Sequence, residues 1–441
     1  MPSQPGPYPL PGISMESWVV RFDESGRCVS PKTRSALLAK LAAEPGRPVI
    51  FFSHGWNNDF SDAVDLYRRF LVNFEAATAA NPLPAGTKPI FVGITWPSIW
   101  LPSDSGPQLA AAPEDESTYA RDEALLAELR RILPSTTDWN RLYELLEADR
   151  VSGEDAKVLA RLIAPALRAG FEEGASEPAT TEEHVLRAMS RLQSANARRK
   201  GYYLGESGTI SGGSPAAPAA PAGALDFLDP RNALRLASLY MMKDRAGTVG
   251  AAGVSEFLRA MLSGSSSPVY AIGHSFGCKV MMSAVCAAPL DRKLKAILLL
   301  QPAISYLSFA ANIPGVGLPG GYRSGLDRVE GPICVTYSGN DFPLHTIYHL
   351  ALMREKDIGE LKVAGGTSAG EPPNIFAALG GFGPRNSSEA LIDPIPQPNE
   401  SFAFPPGARI IGLDGTREKR IDSHGGVATP ATAWMLHRLM N

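Results

Sequence analysis

The sequence predicts an α/β fold with a mainly parallel sheet and helices on both faces. Strand-like runs alternate with helical segments towards both ends of the chain, which is typical of such folds. Two of these runs, 48–52 and 89–95, are almost entirely apolar, as expected of strands buried on both faces of a parallel sheet. The length of 441 residues allows two or three domains, or one enlarged domain.

The N-terminal region, residues 1–97, is predicted to form the first half of this core. It opens with a strand over 17–22, followed by a helix in which Ser30 suits the cap and Pro31 the first turn. A second helix, over 61–80, lies between the two apolar strands. Because ligands bind at the carboxyl ends of strands in open α/β sheets, the loops after these strands are the expected place for chemistry.

The alternation stops over residues 98–235, which we predict to be a helical insertion. It contains a Pro/Ala-rich linker, 211–224, that cannot bury a core. The insertion holds 21 acidic and 15 basic residues and therefore carries a net charge of −6. It could be a lid over the substrate site, or a subdomain away from it.

Residues 236–441 are predicted to complete the core. A Gly/Pro-rich segment, 359–407, is too long for an ordinary connection, so we expect a functional or partly disordered loop there. The predicted elements of this region are helices over 249–262, 276–287 and 431–440 and strands over 268–272, 294–301, 332–337 and 408–413.

Composition excludes several classes of function. A net charge of −3 and a pI near 6.2 argue against a strongly basic nucleic-acid binder. No apolar run reaches about 18 residues and the N-terminus lacks a secretory signal, so we expect a cytoplasmic protein, with peripheral lipid contact and signal-less export left open. Four cysteines without metal-binding spacing suggest a reduced compartment. The oligomeric state is not predicted.

The sharpest motif is Gly-His-Ser-Phe-Gly over 273–277, between a predicted strand and a predicted helix. Its two glycines allow a sharp turn that exposes Ser275 at a helix N-terminus, where partial positive charge favours a developing anion. A second Gly-x-Ser-x-Gly, over 366–370, precedes Glu-Pro-Pro and has no following helix. Ser275 is therefore the candidate nucleophile.

A serine nucleophile needs a base, and the base needs an orienting acid. His424 lies in a loop after the last predicted strand, whereas His437 lies inside the closing helix, where a packing role is expected. Asp341 follows the strand over 332–337 and is the candidate acid, although it also suits a helix cap before Pro343. Asp422 and Asp327 are weaker candidates for the acid.

Backbone N–H groups that bind the negative oxygen of a tetrahedral intermediate form an oxyanion hole. One donor should be Phe276, directly after the serine. The second should come from the loop after the apolar strand over 48–52, where Gly55 permits close approach. Trp56 is the expected donor there, with Asn57 as the alternative.

These segments together resemble the α/β-hydrolase superfamily. The resemblance rests on the His-Gly-Trp-Asn-Asn-Asp run over 54–59, on Thr-Trp-Pro-Ser over 95–98, on Gly-His-Ser-Phe-Gly and on the late Asp and His. Within the superfamily the chain looks most like uncharacterised hydrolases with an HGxNN segment, in which a Tyr...Asp helix precedes the elbow; Tyr240 and Asp244 fit it. The resemblance covers 17–110 and 236–441 and implies a cofactor-free serine hydrolase of small-molecule or lipid acyl esters, without fixing the substrate.

Other interpretations remain open. The same machinery could cleave amides, or the fold could serve as an inactive interaction scaffold. Asp341, His345 and His349 are spaced four apart and could in principle bind a metal, although we expect no metal site. As residues lining a substrate pocket we predict His54, Trp96, Trp100 and His274.

Overall fold

A computed structural model describes residues 6–56, 58–84, 87–98, 127, 129–148, 150–168, 182–203, 228–348, 376–398 and 400–441. The predicted linker, the second serine motif, Asn57 and Trp100 lie outside these residues. Internal contacts divide the chain into a core unit, composed of Met1–Ile99, Met242–His349 and Arg354–Asn441, and a helical unit, composed of Trp100–Met241 and Leu350–Met353.

The core unit contains an eight-stranded sheet in which every neighbouring pair is parallel. This confirms the predicted α/β class, and the architecture is α/β-hydrolase-like. The strand order is β1-β3-β2-β4-β5-β6-β8-β7. The strands are β1 (Ser17–Arg21), β2 (Val49–Ser53), β3 (Ile90–Thr95), β4 (Val269–His274), β5 (Ala296–Leu300), β6 (Ile333–Tyr337), β7 (Ala390–Ile392) and β8 (Ile410–Asp414).

Helices cover both faces of this sheet. On one face Ile50, Phe52 and Ile272 pack in a single apolar cluster with two of the helices, through residues such as Phe70 and Met435. On the other face the alternate residues point towards further helices, as where the Phe51 ring meets that of Phe257. Burial on both faces explains why these strands are apolar throughout.

The helices predicted over 61–80, 276–287 and 431–440 are found within one residue of these bounds, and the one predicted over 249–262 begins later, at Ser255. Capping residues set the start of two helices: Asp59 and Thr429 each form a capping box. The helices are α1 (Pro31–Ala43), α2 (Phe60–Ala80), α3 (Trp139–Glu147), α4 (Gly153–Arg168), α5 (Glu182–Tyr203), α6 (Arg231–Val249), α7 (Ser255–Gly264), α8 (Phe276–Ala287) and α10 (Pro430–Met440); α9 (Leu379–Phe382) is a single turn.

The helical unit has a small apolar core of its own. Helices α4 and α5 pack together and bury aliphatic side chains such as Leu159, Ile163 and Met189. The Arg161 guanidinium pairs with Glu182 across these two helices at 3.1 Å. Aliphatic residues on one side of each of these helices therefore form the interior of this unit.

Two local features differ from the sequence expectation. The chain between α6 and α7 forms a π-helical turn, Gly250–Val254, in which Gly250 brings the backbone against the Val280 carbonyl group of α8. The described part of the segment 359–407 is not all loop, since it contains α9 and the edge strand β7. Three residues are too few to show an alternating pattern, so this strand escaped prediction.

Among the described helices, none combines the length and apolarity needed to cross a bilayer.

Candidate active site

Ser275 lies at the sharp turn between β4 and α8. Its φ of +55° is a backbone conformation that residues with side chains seldom adopt. The turn is possible because of the flanking glycines: a Cβ on Gly273 would lie 2.6 Å from Cys278 Cα, and one on Gly277 would overlap the Ser53 carbonyl oxygen. The glycine spacing is thus a steric requirement of this strand-turn-helix arrangement.

The structure brings Ser275, His424 and Asp341 together in a hydrogen-bonded series. The Ser275 Oγ lies 2.9 Å from His424 Nε2, and His424 Nδ1 lies 2.8 Å from Asp341 Oδ2. Because a carboxylate only accepts hydrogen bonds, His424 donates from Nδ1, which leaves Nε2 to accept the serine hydroxyl proton. The chain order of these residues, Ser, Asp and then His, follows the order of strands β4, β6 and β8.

Asp341 is completely buried, and donors surround its carboxylate. Oδ2 accepts from His424 and also from the Gln301 Nε2 amide at 2.9 Å. Oδ1 accepts from the Leu344 backbone N–H at 3.0 Å, so Asp341 also caps the helical turn that begins at Phe342. One carboxylate oxygen therefore contacts the histidine, and the other forms the cap. Gln301 was not predicted; its only signal in the sequence is a polar residue at the end of an apolar strand.

His424 is held in a loop fastened to its neighbours through backbone groups. The Ser338 hydroxyl donates to the Ile421 carbonyl group at 2.9 Å, and Ile421 N–H donates to the Gly415 carbonyl group at the same distance. The His274 ring contacts the carbonyl group of His424 itself, with Nε2 at 2.9 Å. These bonds fix the position from which the His424 ring meets Ser275.

The loop after β2 lies directly against the serine turn. A Cβ on Gly55 would lie 2.5 Å from Ser275 Cβ and 2.9 Å from the His274 carbonyl oxygen, so only glycine fits there. The backbone N–H groups of Trp56 and Phe276 have no acceptor within the described part of the chain. Both N–H groups are therefore available to a ligand, and the Phe276 group belongs to the first turn of α8, where amides have no partner in the helix. The alternative donor, Asn57, lies outside the described residues.

His54 braces this loop. Its Nε2 accepts the Trp96 backbone N–H at 3.2 Å, so the proton is on Nδ1, which donates to the Gly55 carbonyl oxygen at 2.9 Å. That carbonyl group shares a planar peptide with the Trp56 N–H, so fixing one also fixes the direction of the other. Complete burial lowers the pKa of His54 to about 4, which keeps the ring neutral and both bonds intact at neutral pH.

His274, directly before Ser275 in the chain, plays a similar part. Its Nε2–H donates to the His424 carbonyl oxygen, and its Nδ1 has no hydrogen-bond partner in the part of the chain that the structure describes. Burial, and next the neighbouring His424, lower the pKa of His274 to about 3. The ring therefore acts as a neutral donor at physiological pH.

The structure places the predicted pocket residues His54, Trp96 and His274 inside the protein, each at most 5% exposed. The Trp96 ring stacks on His54, with centroids 5.6 Å apart, and donates from Nε1 to the His54 carbonyl group. In the structure His54, Trp96 and His274 contact the backbone of the loops around Ser275. Trp100 lies outside the described residues.

The remaining candidates lie apart from Ser275. His437 is buried in α10, where Nε2 contacts the Asn81 carbonyl oxygen, in keeping with a packing role. Asp422 and Asp327 are exposed. His345 stacks on Phe382 with ring centroids 4.4 Å apart. His349, the third residue of the possible metal set, is outside the described residues, and the other two do not form a ligand cluster with any described side chain.

Comparison of the chain with protein-family models, with curated proteins and with solved structures finds no match in any of the three.

Proposed function

We propose that this protein is a serine hydrolase of the α/β-hydrolase type that cleaves carboxylic esters, in the manner of a carboxylesterase or lipase. The observation that carries the proposal is the continuous hydrogen-bonded series from Ser275 Oγ through His424 to Asp341, with distances of 2.9 and 2.8 Å. Such a series allows the histidine to take the serine proton while the aspartate stabilises the resulting imidazolium.

In the proposed reaction, Ser275 Oγ attacks the ester carbonyl carbon and its proton passes to His424 Nε2. The negative oxygen of the tetrahedral intermediate accepts hydrogen bonds from the Phe276 and Trp56 N–H groups. The intermediate then expels the alcohol, which leaves with the proton from His424. Water, deprotonated by His424, attacks the acyl-enzyme and releases the carboxylic acid and free Ser275. Loss of one oxyanion donor in such enzymes costs about 3 to 4 kcal/mol of transition-state stabilisation.

The chemistry does not require a metal or a redox cofactor, because every proton transfer in this scheme has a donor and an acceptor among the named residues. The substrate class that it favours is a small-molecule or lipid acyl ester. The loop after β2 lies against the serine turn, which Gly55 permits, and this supports the proposal because it brings the Trp56 peptide next to Ser275.

A panel of p-nitrophenyl esters of increasing acyl length, run beside the matching anilides, tests this proposal. We expect hydrolysis of the esters by wild-type protein and none above background by Ser275→Ala. A faster reaction with the anilides would favour an amide-cleaving enzyme with the same machinery. Equal ester hydrolysis by both proteins would refute the role of Ser275, and no hydrolysis of any substrate would favour an inactive scaffold.

A further inference from the structure

Gln301 occupies a strained position next to the acid of the proposed machinery. It follows β5 directly, at the same edge of the sheet as Ser275, and it is completely buried. Its φ of +44° lies in the left-handed region, which favours glycine. Strained residues of this kind concentrate at functional sites, where the surrounding structure holds them in place.

Every polar group of the Gln301 side chain has a partner. The amide nitrogen donates to Asp341 Oδ2 at 2.9 Å and to the Gly380 carbonyl oxygen at 3.1 Å. The amide oxygen accepts the Thr336 hydroxyl at 3.0 Å, and this hydroxyl oxygen accepts the Gln301 backbone N–H at 2.9 Å. The amide can therefore adopt only one orientation, since a flipped amide would place its oxygen against two acceptors.

The consequence concerns Asp341 Oδ2, which Gln301 shares with His424. A hydrogen bond from a neutral donor in a fixed position stabilises the negative charge of a buried carboxylate and holds it in one rotamer. We propose that Gln301 is a positioning residue. Its amide orients the Asp341 carboxylate towards His424 and weakens the electrostatic attraction between this carboxylate and the imidazolium. Thr336 holds the amide in the required orientation. This inference rests on the proposed serine-hydrolase function.

The substitution Gln301→Glu keeps the shape of the side chain but replaces the donor with a second carboxylate. Two neighbouring carboxylates tend to share a proton. The variant would therefore retain one more proton than the wild type, distributed among the new carboxylate, Asp341 and His424. Neutral His424 would then accumulate only at higher pH. Gln301→Met removes the hydrogen bond without adding charge and leaves the Asp341 charge less satisfied, which favours the imidazolium to a smaller extent.

Other titratable groups face the same residues. His274 lies beside His424, with ring centroids 5.1 Å apart, and its lowered pKa, about 3, keeps it from titrating near neutral pH. His345 interacts with Asp341, and burial lowers its pKa as well. His345→Gln is therefore the matched control, because it removes a titrating neighbour of Asp341 without changing any bond of Gln301.

The experiment measures the rate of reaction with a fluorophosphonate probe from about pH 5 to pH 10. We expect Gln301→Met to react about tenfold more slowly at the plateau, since a hydrogen bond to a charged group is lost. We expect Gln301→Glu to move the midpoint of the acidic limb upward by about 1 pH unit. Thr336→Val should fall between wild type and Gln301→Met, and His345→Gln should keep the wild-type midpoint. Circular dichroism melting establishes that each variant is folded.

A uniform decrease in rate at every pH, without a shift of the midpoint in Gln301→Glu, would reduce Gln301 to a packing role and overturn the inference. So would wild-type profiles in both Gln301 variants. Wild-type protein that does not react at Ser275 at all would instead refute the proposed function, and the two failures are thereby distinguished.

Discussion

The two buried histidines that brace the site predict a loss of stability in mild acid. The folded protein keeps His54 and His274 neutral, because burial lowers their pKa to about 4 and about 3. In the unfolded chain both would titrate near the ordinary value of 6.5. Below that value only the unfolded chain takes up the two protons, so their contribution to stability is present above pH 6.5 and is lost as the pH falls.

The size of the effect follows from these values. Between pH 7 and pH 5 each histidine should reduce the free energy of unfolding by about 2 kcal/mol, or about 4 kcal/mol for the pair. The total free energy of unfolding of a native protein is typically only about 5 to 15 kcal/mol. Burial also lowers the pKa of His345 and His437, which adds to the loss in the same direction. Most carboxylates titrate below this window and contribute little to it.

The assay is urea unfolding of the wild type, His54→Gln and His274→Gln at pH 7, 6 and 5. Each variant starts from a lower free energy of unfolding at pH 7, because it loses buried hydrogen bonds. Its further loss between pH 7 and pH 5 should be about 2 kcal/mol smaller than that of the wild type. A variant that loses as much as the wild type over this range would show that the replaced ring is not held neutral in the folded state, and the reasoning would fail.

Three further predictions concern activity. His424→Ala should reduce kcat/KM for ester hydrolysis by at least about 10⁴-fold, whereas His345→Ala should keep kcat/KM within about tenfold of wild type. The reverse order would identify His345 as the general base. Gly55→Ala should abolish hydrolysis, because its Cβ would lie 2.5 Å from the Ser275 Cβ. Gly264→Ala, where nothing lies within 4 Å of the added Cβ, should keep wild-type kcat/KM. Equal kcat/KM in the two variants would contradict the close approach of Gly55 to Ser275. Excision of 104–224 should change the preferred acyl length if the insertion is a lid, and unchanged selectivity in the ester panel would instead favour a separate subdomain.

The sequence was sufficient to predict the elements around Ser275, because the relevant signals are local. Two glycines at fixed spacing between an apolar run and a helical pattern require a tight turn. Asp341 and His424 could be proposed because polar residues after parallel strands meet at one edge of the sheet. For Asp341 and His424, the order of strands along the chain was sufficient.

The supporting contacts could not be predicted in the same way. His54 contacts the Trp96 backbone and Gln301 contacts Asp341 across 42 and 40 positions of the chain. Whether a polar side chain at a strand end turns outward to a substrate or inward to a neighbouring loop depends on strand pairing and backbone angles. The positive φ of Gln301 illustrates this, because no residue type signals it. For this reason the contacts that His54 and His274 make with neighbouring loops were not predicted.

The proposed reaction depends on Ser275 as the activated nucleophile. Its most direct test is reaction of the folded protein with a fluorophosphonate probe, followed by intact-mass measurement and peptide mapping. We predict the addition of one probe per chain at Ser275, with no addition to Ser275→Ala or to heat-denatured protein. No addition to the folded wild type, or equal addition to Ser275→Ala, would contradict the account.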